Sequence, residues 1–155
     1  MRIHFVPGGR LQIDDAQITW KNFAGAGSDY NREGDRNFGI VIDNEEDARR
    51  LMDAGWKIKV KEGREEGDPP SYIMPVKVRF NGYGPNIYLV SGTAQIKLHE
   101  DEVHRIDRAT ILSADLDIRP HDWEHARWGT GRTAYLENMR AVQKIDRFAS
   151  EYNGN

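Results

Sequence analysis

The sequence predicts a mainly β protein, a small barrel or sandwich with one or two short helices. Three observations carry that reading. Several segments alternate apolar and polar residues with the period of two that a half-buried strand requires. Clusters of Gly, Pro, Asn and Asp interrupt them at intervals of about 8–12 residues. Between the strands, "NEEDARRLMDAG" is the clearest helical pattern.

The elements follow in order. "MRIHFV" and "RLQIDDAQITWKNF" read as short strands, broken by Pro7-Gly8-Gly9 and again by Asp14-Asp15. Residues 24–35, "AGAGSDYNREGD", are rich in Gly, Asn, Asp and Ser and read as a mobile loop. "RNFGIVID" sets Phe38, Ile40 and Ile42 on one strand face. In the helix Asn44 is the expected N-cap, and Glu45, Glu46 and Asp47 complement the positive end of the dipole. Ala48, Leu51 and Met52 form its apolar stripe, and Gly55 stops it.

"WKIKVK" then alternates strictly, with Trp56, Ile58 and Val60 on one side and Lys57, Lys59 and Lys61 on the other. A charged segment with two prolines, residues 61–71, reads as a second mobile loop. "YIMPVKVRF" directs Tyr72, Met74, Val76, Val78 and Phe80 inward and Ile73, Pro75, Lys77 and Arg79 outward. Pro75 has no N–H to give a ladder, which places it at an edge or a bulge. Asn81-Gly82 begins a turn into the strand "NIYLVS", and "HEDEVHRID" offers a short helix with Val103 and Ile106 on its inner side. "TILSADLDI" turns Thr110, Leu112, Ala114, Leu116 and Ile118 to the core. "RTAYLENMRAVQ" fits a strand or a helix; a strand to about Gln143 is favoured, followed by a short helix around Asp146 to Tyr152.

At 155 residues the chain is expected to form one domain with an ordinary core. Its 38% hydrophobic and 30% charged residues fit a globular chain rather than a disordered one. The absence of cysteine removes disulfides, thiol catalysis and cysteine-based zinc sites. The opening apolar run is too short for a signal peptide and no segment is long enough for a span, so an intracellular protein is expected. A net charge of −3 removes any argument from overall basicity but leaves room for a local basic surface.

That local surface is the strongest functional signal. If "WKIKVK" and "YIMPVKVRF" are neighbours, Lys57, Lys59, Lys61, Lys77 and Arg79 form one cationic wall. Such a wall repels itself unless an anion lies on it, and a phosphate backbone is a natural anion. The competing explanation is a solvated edge whose lysines prevent aggregation. Aromatic residues beside cations tilt the balance, because single strands are held by rings under the bases and cations along the phosphates. Arg32 and Arg36 are the further candidate cations. Phe23, Tyr30 and Tyr83 are the candidate stacking rings, whereas Phe38, Trp56, Tyr72 and Phe80 lie on apolar faces and belong to the core.

Two other patterns carry less. "GTGRT", residues 129–133, resembles the end of a phosphate-binding P-loop, but Ala126 stands where a Gly is needed and Arg132 where a Lys is needed. It reads as a Gly-rich loop between strands. Asp115, Asp117, His121, Asp122 and His125 could hold a divalent metal and cut phosphodiesters, which defines an alternative reading as a metal-dependent nuclease. The two aspartates point outward on a half-buried strand, however, and no complete metal motif is present.

The ordered set "KNFAG", "YNREGDRNFGIVID", "AGWKIK", "REEGD", "VKVRF", "PNIYLV", "DLDIRPHDW" and "GRTAYLENM" resembles a family of small bacteriophage single-stranded-DNA-binding proteins, over about Lys21 to Tyr152. The resemblance implies a single OB-fold-like barrel over residues 1–155. It also implies a non-catalytic role without cofactor or metal, coating exposed single strands in phage replication or recombination. The implied setting is the cytoplasm of an infected cell. Expected partners are single-stranded DNA, phage or host replication and recombination proteins, and further copies of the chain, with no membrane. The end "ASEYNGN" lacks the acidic run many single-strand binders use for recruitment, and "EHARWGTGRT" is longer and more basic than the family's loop at that place. A third reading is a protein–protein adaptor of the replication machinery.

Overall fold

A strand with one apolar face must cover it, and in this chain the cover is the sheet itself, curled until it meets its own far side. The computed structural model describes residues 1–82 and 84–145. It contains β1 (Arg2–Phe5), β2 (Leu11–Asn22), β3 (Arg36–Ile42), α1 (Glu45–Asp53), β4 (Lys59–Lys61) and β5 (Ser71–Val78). These are followed by β6 (Asn86–Ser91), β7 (Ala94–Leu98), α2 (Arg105–Arg108), β8 (Ile111–His125) and β9 (Gly129–Gln143).

Five of these strands close a ring. β2 pairs with β3, β3 with β5, and β8 with both β2 and β9, all antiparallel; the ring shuts where β5 and β9 run parallel, Lys77 opposite Tyr135. A five-stranded barrel in this order, closed at one parallel seam, is the OB-fold. β1 adds to β2, β4 adds to β5, and β6 and β7 extend the sheet beyond β9. Inside lie Leu11, Ile13, Phe38, Ile40, Met74, Val76, Leu116, Ile118, Leu136 and Met139, the alternate residues of the barrel strands.

The helix caps as its sequence requires: Asn44 accepts from the Asp47 N–H at 2.7 Å, and Gly55 turns the chain out with φ of +95°. Ala48 and Leu51 fill the contact with the barrel, while Met52 lies at its rim and is exposed, unlike the expected stripe. Val103 and Ile106 are buried as expected around α2. Pro75 sits opposite Gly39 of β3, and its other edge is free because β4 reaches only Ile73.

Other expectations are corrected. Asp14-Asp15 does not break β2. Asp15 takes φ of +54° and the ladder to β8 shifts between Ile13 and Ala16, so the strand bulges and continues. β4 is three residues long, and Val60 is exposed because no described element covers that side of the edge. Ile73 is buried although its register points it outward. A second register shift between Ile111 and Ser113 turns Leu112 to solvent, and Thr110 is exposed ahead of it. β7 was not anticipated, since an edge strand exposed at Ala94 to Lys97 shows no clean alternation. "RTAYLENMRAVQ" is strand throughout, ending at Gln143. The helix expected around Asp146 to Tyr152 lies outside the described residues.

Candidate nucleic-acid interface

The two basic strands are neighbours. β4 runs antiparallel to β5 with Lys59 opposite Ile73 and Lys61 opposite Ser71, so Lys59 shares the outward face that carries Lys77 and Arg79. Lys57, just before β4, Lys59, Lys77 and Arg79 line one groove of about 490 Å³ across β3 and β5. Among the described residues none of these four enters an ion pair. Arg36 and the single carboxylate Asp35 also line the groove. Lys61 and Arg32 are exposed but lie outside its lining, at the end of β4 and in the loop before β3.

The loop between β2 and β3 supplies the rim. Asn31 donates to Ala26 O at 2.9 Å and Asp35 O at 3.0 Å, and accepts from Asn37 Nδ2 at 2.8 Å. These bonds fasten the turn that presents Tyr30, whose side of the groove is open: the residue is 99% exposed. Arg36 is half-buried, donating to Phe23 O and lying 5.5 Å from the Phe80 ring centroid, so its guanidinium braces the groove floor.

Phe23 is not a stacking surface for a ligand. It is fully buried, parallel to Phe38 at 5.1 Å between ring centroids, and Asp107 of α2 accepts from its N–H and that of Ala24. Lys21 completes the clasp by donating to Ile106 O and Ala109 O at the end of α2. The clasp folds the start of the loop inward, which the flexible composition of the loop concealed. Tyr83 lies outside the described residues.

Trp20 flanks Lys21 in the sequence, as Phe23 does, but was not among the candidate stacking rings. Trp20 takes φ of +49°, and the ladder to β3 shifts between Thr19 and Asn22. This bulge swings the indole onto the outer face, over Gly39 and against Ile73, which it shields. Trp20 is 46% exposed, lines the groove, and has Lys59 Nζ at 5.7 Å from its ring centroid. Gly39 was the available signal: a glycine inside an otherwise apolar strand marks a place where something approaches closely.

The ends of β8 and β9 leave the barrel as a two-stranded ribbon, since β2 pairs with β8 only up to Ile118. A second groove of about 540 Å³ runs beneath it and shares Lys57, Pro75 and Lys77 with the first. Arg132 anchors the ribbon. It donates from Nε to Asp122 Oδ1 at 2.6 Å and from a terminal nitrogen to Ala54 O at 3.1 Å, and lies over the Trp56 ring. The hydrogen bonds from Arg132 hold the Asp122 carboxyl below its ordinary range; desolvation opposes this, and the charges of Arg132 and His121 add to it. "GTGRT" is therefore strand rather than loop, and Gly131 is needed because the Trp123 indole lies directly against it.

Residues 2–154 match the family model described as "Putative phage ssDNA-binding domain". The chain belongs to this family. In fold it is similar to the single-stranded DNA-binding protein from bacteriophage Enc34, with 10% identity and a TM-score of 0.59, covering 99% of this chain and 94% of that one. The same protein in complex with ssDNA matches at 11% identity and a TM-score of 0.59, over 95% and 93% of the two chains. At such identities the likeness is one of fold. No curated protein matches the chain in sequence.

In this phage ssDNA-binding domain the proposed nuclease residues do not converge. Asp115 to His125 span ten residues of extended strand, about 33 Å. Each is engaged locally: Asp115 by the Asp15 N–H, Asp117 by Asn138, Asp122 by Arg132, His121 at the edge of Tyr135, and His125 stacked on Trp128. Among the described residues no three metal-ligating side chains gather. Likewise no described helix is long and apolar enough to cross a membrane.

Proposed function

We propose that this domain coats single-stranded DNA during phage replication or recombination, in the cytoplasm of the infected cell, and that its work is binding rather than catalysis. Lys57, Lys59, Lys77 and Arg79 hold the phosphate backbone, with Arg36 behind them and Lys61 and Arg32 extending the basic surface at either side. Trp20 and Tyr30 stack bases. The observation that carries this reading is one groove in which four cations, without ion pairs among the described residues, face two exposed rings. Its partners are the DNA, phage or host replication and recombination proteins, and further copies of itself.

The physics sets the character of binding. Every base offers a π-face, so stacking on Trp20 and Tyr30 tolerates any sequence. Four phosphate contacts release condensed counter-ions, which gives log K against log salt a slope of about −3 on a single strand. The test is a salt titration of a labelled oligo-dT beside a duplex of the same length. Preferential, salt-sensitive binding of the single strand is expected, and Lys57→Glu with Lys59→Glu weakens it without altering the melting temperature. Affinity no tighter than ~10⁻⁴ M at low salt, the weak end of non-specific binding, overturns the reading.

A further inference from the structure

We propose that single-stranded DNA leaves the groove across the parallel β5–β9 seam, where Arg79, Arg119 and Arg10 carry its phosphates around the barrel. This rests on the single-stranded-DNA reading above and lengthens its footprint.

The seam is built around one ring. Tyr135 stands opposite Lys77 of β5 on one side and opposite Arg119 of β8 on the other. Directly opposite residues share a face, so the outward cations from the two neighbouring strands flank Tyr135. The guanidinium carbon of Arg79 is 5.5 Å from the Tyr135 ring centroid, and that of Arg119 is 5.1 Å from it. Arg79 also lines both the main groove and a smaller cleft of about 210 Å³ that contains Arg10, Arg119 and Glu137. The two sites are therefore continuous through one side chain.

Charge explains why the cleft favours an anion. Glu137 is its one carboxylate and already accepts from Arg10 Nε at 3.0 Å. Arg79 and Arg119 have no ion-pair partner among the described residues. Two guanidinium groups flanking one ring with no carboxylate of their own leave a local excess of positive charge, which the phosphates of a passing backbone neutralise. Cation–π contact with Tyr135 holds their planes in place beforehand, so little side-chain freedom is lost on binding. Tyr135 itself is buried, so no base can lie on its face. The seam thus tracks backbone, in contrast to the groove with its exposed rings.

The test compares oligo-dT of about 5 and about 16 nucleotides, within the site sizes of single OB-folds. Lengthening is expected to tighten binding by the unaltered chain and to steepen its salt dependence. Arg119→Gln weakens the longer oligonucleotide by about threefold to fivefold and flattens its salt slope by about 0.7, the signature of one lost phosphate contact. Arg119→Lys retains the slope, which a purely structural role for Arg119 would not predict. The seam is overturned if folded Arg119→Gln protein keeps the full slope on the longer oligonucleotide, or if it loses equally on both lengths. Either result leaves the groove standing. Failure of the unaltered chain to bind either length overturns groove and seam together.

Discussion

Trp20 lies over Gly39 so closely that a Cβ at position 39 would stand 3.3 Å from the indole Cε3 and 2.6 Å from Ile73 Cγ2. The missing side chain is thus what lets an aromatic shelf form on the outer face of β3 and β5. Gly39→Ala is expected to destabilise the fold by about 1–3 kcal/mol through overpacking, and to weaken single-strand binding by pushing the indole off its seat. Thermal unfolding and an oligo-dT titration check both effects; an unchanged melting temperature with unchanged affinity would mean the shelf does not depend on Gly39.

Trp20→Ala tests the stacking role directly. Nearly half of the residue is exposed, so beyond the cover lost from Ile73 its removal is felt by a ligand. Each stacked base is worth about 1–3 kcal/mol, which predicts a loss of about 5-fold to 150-fold in oligo-dT affinity at constant salt slope, because no cation is removed. Trp20→Phe restores most of it. A changed slope with little loss of affinity would instead show that the indole acts by positioning Lys59.

How much of this was legible in the sequence depended on whether the cause was local. The outward row Lys77 and Arg79 follows from alternation within one strand, and the β3 core row Phe38, Ile40 and Ile42 does too. The joining of that row to Lys57 and Lys59 is a pairing across the charged loop of residues 61–71, and periodicity within a strand says nothing about its neighbour. Leu112 was misplaced, and Trp20 left out of the stacking rings, for a common reason: a bulge changes the side on which alternate residues fall, and alternation within the strand does not announce it. Phe23 was misplaced because the groups that bury it, Asp107 and Phe38, come from elsewhere in the chain.

That correction has a measurable consequence. Phe23→Ala removes a fully buried ring from its stack with Phe38, and is expected to lower stability by about 3–5 kcal/mol. At a temperature where the variant remains folded, oligo-dT affinity should stay near that of the unaltered chain. A selective loss of binding with an unchanged melting temperature would return Phe23 to the interface.

The ribbon should respond to acid through Asp122. Its carboxyl is held low by the hydrogen bonds from Arg132, and the same contact raises the Arg132 guanidinium. A carboxyl depressed in the folded chain contributes its share of stability above its unfolded value, near 3.9 for an ordinary Asp, and loses it as pH falls through the lower folded value. The Asp122–Arg132 pair is therefore complete at neutral pH and breaks only in acid, while the bond from Arg132 to Ala54 O, which involves no group that titrates in acid, persists. In an NMR titration the Trp123 indole N–H and the Gly131 amide, both on the ribbon, should move together with a midpoint below 3.9. Asp122→Asn should abolish that transition and leave the ribbon in its acid-like state at every pH. A midpoint at or above the ordinary carboxylate value would mean that Arg132 holds the ribbon through Ala54 and Trp56 alone.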